Sequence, residues 1–246
     1  MLRTYTVTLI LAMQATGSVI ASAQEKSSEY YALPGLDHGL IQSPVNILSG
    51  DTATGSHTVI FAGEDVSATE IRNTGHSVQL QMPPGASVAF DGDLYELKQC
   101  HFHTPSEHQI DGVTYPMEMH CVSTHPDVNG DGAPEYLVVA FLYKMGEASA
   151  AIGLFIDSIP TNEGAQRTDE RTTFFVSDIV AEGDASLGYF TYQGSLTTPP
   201  YTESVRWLVK RSIREASPQQ IQTINQIEGN NARHVQALFG RTVERN

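Results

Sequence analysis

The stretch QCHFHTPSEHQIDGVTYPMEMHCV, from Gln99 to Val122, gathers four histidines and three carboxylates among apolar and hydroxyl side chains. His101 and His103 are two residues apart. That interval puts both on one face of a β-strand and on no single face of a helix. Glu118 and His120 share a face by the same rule. If their segment pairs antiparallel with the first, His120 joins the other two and three imidazoles converge. Three neutral histidines with an open fourth position are a common way to hold catalytic zinc, whereas structural zinc sites close the shell, mostly with cysteine. Each ligand also needs a partner for its second ring nitrogen. Gln99 stands in phase with His101, and Glu118 with His120. Any one of the nine histidines taken alone reads as an ordinary surface or half-buried residue. The in-phase combination with polar supporters is what singles these three out.

Short alternating or apolar runs must carry such residues, and the sequence supplies them. HTVIF, SVQLQM, SVAF, YELKQCHFHT, YPMEMHCVST, EYLVVAFLYKM, YFTY and ESVRWLV are separated by PPG, DGD, DG and NGDG. This is the rhythm of a large, mostly antiparallel sheet. Two helices interrupt it. Residues 147–157 place Ala148, Ala151, Ile152, Phe155 and Ile156 on one stripe at helical spacing. Residues 218–227 follow Ser217 as N-cap, with Pro218 first and Gln220 three residues past the cap, which is a capping box. DVNGDG at 127–132 resembles the start of a calcium loop. Its twelfth position is Val138, not Glu, and a strand follows, so it reads as a polar hairpin loop.

The chain has 14 Lys and Arg against 28 Asp and Glu, a formal net charge of −14. No basic stripe offers a footing for nucleic acid or an anionic membrane. Arg3, an interrupted apolar stretch and Ala21–Ala23 read as a secretory signal over 1–23. One domain, 24–246, would follow it, and no later segment approaches membrane-spanning length. The expected location is periplasmic or extracellular. Cys100 and Cys121 are the two cysteines. They fall on the strand face away from the histidines, across adjacent strands, and are expected to be buried free thiols.

Five segments, QCHFHTPSEH, YPMEMHCV, IQSPVNI, NTGHSVQL and GSLTTPPYTESVRW, resemble the signature segments of the α-class carbonic anhydrases, of the exported bacterial type. They run in the family's order from about Gln42 to Arg233. The resemblance implies a mainly β (α+β) single domain: a large twisted, mostly antiparallel sheet, a few peripheral helices, and zinc at the floor of a central cleft. It implies reversible hydration of carbon dioxide to bicarbonate and a proton, by attack of zinc-bound hydroxide. His101, His103 and His120 would bind Zn2+, with Gln99 and Glu118 behind them. Thr197 would donate to Glu107 and accept from the nucleophile. This is consistent with their chemistry, because an ionised carboxylate only accepts. Thr198 would position bicarbonate. Val122, Val138, Leu196 and Trp207 would form the apolar wall around carbon dioxide. His76 would shuttle protons, as an imidazole titrating near pH ~6.5 can. His108, Asn231 and Arg233 would hold a structural network. The family's N-terminal Trp/Tyr segment is not recognisable here, and Tyr30 or Tyr31 would have to substitute. Tyr201 stands where many secreted members place a bridging cysteine, so that bridge is absent. A catalytically silent relative would lack a zinc histidine, and all three are present. A zinc peptidase would carry a His-Glu-x-x-His helix, and none occurs.

Overall fold

A computed structural model describes residues 39–63, 66–125, 135–168 and 188–246. The signal segment 1–23, Tyr30, Tyr31 and the DVNGDG loop lie outside these residues.

The alternating runs assemble into one 13-stranded sheet. Its long axis passes through β12 (Gln166–Arg167), β4 (Glu70–Asn73), β5 (Val78–Gln81), β7 (Asp93–His103), β10 (Met117–His125), β11 (Glu135–Met145), β14 (Val205–Lys210), β13 (Tyr189–Gly194), β16 (Glu244–Arg245) and β2 (Ala53–Thr54). β6 (Ala86–Phe90) also pairs with β7 and carries β3 (Val59–Gly63) beyond it, while β15 (Arg214–Ala216) pairs with β11. A small separate sheet joins β1 (Asn46–Ile47), β8 (Gln109–Ile110) and β9 (Val113–Thr114).

Most ladders of the large sheet are antiparallel, as expected. The exceptions are parallel: β11 with β14, β11 with β15, and β16 with β2. The sheet is therefore mixed. β11 is the reason it can be. Leu137 to Tyr143 are buried without interruption, so this strand is covered on both faces, which is the setting parallel pairing requires.

Alternation along the strands divides the apolar residues between two cores. Val138, Ala140, Leu142, Trp207 and Val209 pack with Val45, Ile47 and Phe190 on one side. Cys100, Phe102, Met119, Cys121, Val139 and Phe141 pack on the other, against Ile152, Phe155, Ile221 and Ile224 of the helices.

The stripe over 147–157 does not form one helix. The chain makes a single turn, α1 (Ala150–Gly153), and then a 3-10 turn at Ile156–Ser158. Ser149 caps the first turn by accepting from the Ile152 N–H at 3.1 Å, so Ala148 is left outside and exposed. Gly153 ends it, and Phe155 at φ −130° breaks the helical path. The stripe still buries Ala151, Ile152 and Phe155. Burial satisfied the periodicity, and the local backbone interrupted the helix. The second helix, α2 (Pro218–Glu228), forms with both halves of its capping box between Ser217 and Gln220.

The cysteines correct another expectation. Cys100 and Cys121 are joined in a disulfide. Register is the cause: the two face each other directly across β7 and β10, with Cα atoms 4.2 Å apart. That is the narrow, non-hydrogen-bonded type of antiparallel pair, in which opposed side chains come closest.

Candidate metal centre

Strand pairing sets the site in rows. His101 of β7 is opposite His120 of β10, and His103 is opposite Glu118. The adjoining row runs Gln99, Val122, Val138, Trp207 across β7, β10, β11 and β14. Paired residues point to the same side of a sheet, so these rows share one face. Ligating atoms of His101, His103 and His120 all lie within 4.8 Å of one another. His103 and His120 are buried and His101 is partly buried. The cluster therefore has a closed side and a side open toward solvent.

The supporting shell is explicit for two ligands. The His101 Nδ1 pairs with Gln99 Oε1 at 2.9 Å, and the His120 Nε2 with Glu118 Oε1 at 2.7 Å. His101 is thus left with Nε2 for the centre, and His120 with Nδ1. Both ring nitrogens of His103 are buried without a hydrogen-bond partner. Glu118 is fully buried and accepts four bonds: from His120, from His108 Nδ1 at 2.7 Å, and from the main-chain N–H groups of Glu107 and His108, both at 2.8 Å. Burial alone would raise its carboxyl. The His108 and His120 imidazoles and their hydrogen bonds outweigh that and hold it well below the usual range.

The three imidazoles are held neutral. Burial lowers His101 well below its ordinary value, helped by repulsion from His103 and His120. It takes His103 down to about 4, against the nearby Glu118 and Asn231, and it lowers His120 too. Neutral, convergent nitrogens are what a metal ion requires of histidine. Unpartnered His103 Nε2 is a buried polar atom that an ion would satisfy. The Glu107 Oε2, also unpartnered, stands 3.6 Å from it and 3.9 Å from His120 Nδ1. These residues fit a single zinc with an open position. His108, Glu118 and His120 also approach within 4.8 Å, but there the close contacts are hydrogen bonds already made.

Glu107 is anchored by the Arg233 N–H on Oε1 at 2.9 Å. Burial pushes its carboxyl up to about 7, opposed by His120, by that N–H and by the hydroxyl of Thr197. Thr197 is buried at 7 % exposure, Leu196 is partly buried and Thr198 is exposed. The four expected wall residues separate into two kinds. Val122 and Leu196 keep some exposed surface, while Val138 and Trp207 are covered. Trp207 packs its ring edge-on to His108 and His120, at 4.7 and 4.8 Å between centroids. It backs the ligands instead of lining an open surface.

His76 occupies the turn from Thr74 to Ser77, where Gly75 at φ +80° supplies the left-handed backbone. Its carbonyl accepts from Asn231 Nδ2 at 2.6 Å. Asn231 also donates to the Phe102 carbonyl and accepts from the Thr104 N–H, so it ties the His76 turn to the strand that carries His103.

Gln42, Ser43 and Tyr192 had no role in the sequence reading. Arg233 Nη1 donates to Gln42 Oε1 at 2.9 Å and to the Ser43 carbonyl at 2.7 Å. The Tyr192 hydroxyl lies 2.7 Å from His108 Nε2 and 2.9 Å from Ser43 Oγ. Burial pushes this phenol well above its ordinary value, so it stays protonated. These residues carry Glu118 and Glu107 back to the chain's first described turn. A buried polar phase in YFTYQG and the polar pair opening QSPVNI were the only signals that could have found them.

A three-histidine cluster on the face of a large mixed sheet, with a buried carboxylate behind it, has the donor set for one metal ion with an open position. Residues 27–246 match the family described as eukaryotic-type carbonic anhydrase. The carbonic anhydrase of Neisseria gonorrhoeae is 36% identical over 207 residues, covering 83% of this chain and 77% of that protein. That of Pectobacterium carotovorum is 34% identical over 206 residues, covering 83% and 80%. The solved α-carbonic anhydrase of Photobacterium profundum superposes with a TM-score of 0.76 at 29% identity, over 89% of this chain and 94% of the other. The chain belongs to the eukaryotic-type carbonic anhydrase family, whose reaction is the reversible hydration of carbon dioxide.

Proposed function

We propose that the protein is an exported carbonic anhydrase that holds one zinc ion on His101, His103 and His120. The observation that carries this reading is the convergence of three neutral imidazoles within 4.8 Å, one of them with both nitrogens unpartnered. Zinc, when bound, supplies Lewis acidity that makes a hydroxide nucleophile available near neutral pH. The chain's own residues do the rest. Gln99 and Glu118 fix the tautomers and the aim of His101 and His120. Glu107 accepts the hydrogen bond of the Thr197 hydroxyl, which leaves the Thr197 lone pairs to accept from the nucleophile and orient it. Val122 and Leu196 offer apolar surface to carbon dioxide, with Val138 and Trp207 behind them. Thr198 steadies bicarbonate, and His76 passes the released proton to buffer.

Export rests on the composition of 1–23 and is supported by the disulfide, which persists in oxidising compartments. Among the described residues, no helix is long and apolar enough to cross a membrane. Protein recovered from the periplasm or medium is expected to begin near Gln24, read by N-terminal sequencing.

Stopped-flow hydration of carbon dioxide, with and without a zinc chelator, tests the central reading. Purified protein should carry about one zinc per chain. His120→Ala should lose nearly all metal and activity. Full activity in that variant would sink the ligand assignment. A folded, zinc-free and inactive wild-type protein would mark a silent domain that keeps the fold as a surface.

A further inference from the structure

The disulfide lies directly behind the metal centre. Along the β7/β10 ladder, Cys100–Cys121 is the pair next to His101–His120. Successive pairs point to opposite faces, so the bridge sits in the rear core while the two ligands face forward. On the far side of the bridge the ladder is irregular. Val122 faces Gln99, but Ser123 faces Leu97, so Lys98 is passed over and the register shifts between Val122 and Ser123. A bulge is a place where strand register can change, and a one-residue slip turns every side chain to the other face. Propagated toward the centre, such a slip would carry His120 to the rear and break its bond to Glu118. The covalent link stands between the bulge and the ligand pair. Its half-cystines are buried at 0 % and 6 % exposure. The chain has two cysteines in all, so no second bridge can take over this task.

We propose that the Cys100–Cys121 bridge is a positioning element of the metal centre, locking the β7/β10 register so that metal retention depends on the thiol oxidation state. This rests on the zinc reading above. The chemical change is simple. A dithiol reductant supplies two electrons and two protons, the S–S bond breaks, two S–H groups form, and the reductant closes to its own disulfide.

The test compares zinc-loaded oxidised protein, protein unfolded, reduced with a dithiol, desalted and refolded with zinc, and the variant Cys100→Val/Cys121→Val. The last keeps apolar strand-forming side chains without the bond. The readout is the rate at which zinc passes to a chromophoric chelator. Gln220→Ala is measured beside them as a variant weakened in the helices, away from the centre. Zinc release about tenfold faster in both bond-free forms, the scale of losing a ligand-supporting group, with Gln220→Ala releasing as wild type does, is the expected result. Equal release from oxidised and bond-free protein would overturn the proposal. So would equal acceleration in Gln220→Ala, which would make the bridge a general staple. Two titratable thiols in the denatured, unreduced chain would overturn it directly. If the valine variant does not fold, the reduced wild type carries the comparison. If the oxidised protein binds no zinc at all, the zinc reading itself falls, and this inference falls with it.

Discussion

The His76 backbone is held on two sides, by the Thr74–Ser77 turn and by Asn231, so its imidazole starts from a fixed base. Replacing it should leave carbon dioxide hydration itself intact and slow only proton export. His76→Ala is expected to lower kcat by about two orders of magnitude, the lower end of what a positioned acid–base group contributes. kcat/KM should stay nearly unchanged, and concentrated imidazole buffer should restore kcat. A parallel fall in both constants without rescue would make His76 a structural residue. Glu228 raises a different question. Its carboxylate is buried at 6 % exposure, accepting from the Val78 N–H at 3.2 Å and the Thr104 hydroxyl at 3.3 Å. Burial lifts its pKa well above 4.5, against those two donors. An acid shifted upward is penalised when ionised. The penalty is present above its folded-state pKa and is relieved as pH falls through that value toward 4.5. Glu228→Gln keeps an acceptor for Val78 and can donate to Thr104. It should therefore raise Tm at pH 8, with the advantage shrinking as the pH is lowered. A constant difference across the range would show that the carboxyl titrates alike in the folded and unfolded chain, with no upward shift.

Gln220 joins two elements through a single side chain. Its side chain completes the α2 capping box with Ser217, accepts from the Ser149 N–H at 2.9 Å and donates to the Ser149 carbonyl at 2.8 Å. One amide thereby caps α2 and docks α1 onto it. Ser217→Ala should cost about 1 kcal/mol, the usual value of an N-cap. Gln220→Ala should cost more, on the order of 2–3 kcal/mol, because it also removes two hydrogen bonds to the buried Ser149 backbone. Urea unfolding of both variants checks the order; a smaller loss for Gln220→Ala would mean that water replaces its bonds. The capping box was legible in the sequence because its partners are three residues apart. The dock to Ser149 was not, because its partners are 71 residues apart and nothing local specifies them. The break in the 147–157 stripe belongs with it: apolar spacing reports which side is buried, not whether the backbone stays helical between the buried residues.

Across the whole molecule, His57 gathers distant parts of the chain. Its Nδ1 pairs with Asp91 at 2.7 Å, in the turn between β6 and β7, and its Nε2 with Glu244 at 2.8 Å on β16. Asp91 first, then Glu244, raises its pKa above 6.5. The stabilisation from this raised value is complete below pH 6.5 and is lost as pH rises through the folded-state pKa. At the acid end, the hydrogen bond from His57, more than that from the Thr58 N–H, lowers Asp91 below 3.8. That part is present above 3.8 and is lost as pH falls through the folded value. With the carboxylates 43 % and 36 % exposed, the pairs should contribute less than about 1 kcal/mol. Wild type should exceed His57→Gln in Tm most clearly between pH 5 and 6.5, and the gap should narrow toward pH 9. A gap that widens with pH would reverse the assignment.

The sequence by itself determined which side chains share a face. A two-residue period is a property of any extended strand, so His101 with His103, and Glu118 with His120, were in phase before any fold existed. Gln99 and Glu118 were placed behind their histidines by the same local geometry, and the helix start at Ser217 by chemistry three residues long. What only the tertiary structure decided is how the strands slide past one another. Phase says that Cys100 and Cys121 point away from the histidines. Register alone makes them opposite neighbours at 4.2 Å and turns two expected thiols into a bridge. The parallel pairing of β14 with β11, the covering of Trp207 and Val138, and the Arg233 links to Gln42 and Ser43, more than 180 residues away, have the same origin. They depend on contacts between segments far apart in the chain, which no short-range periodicity encodes.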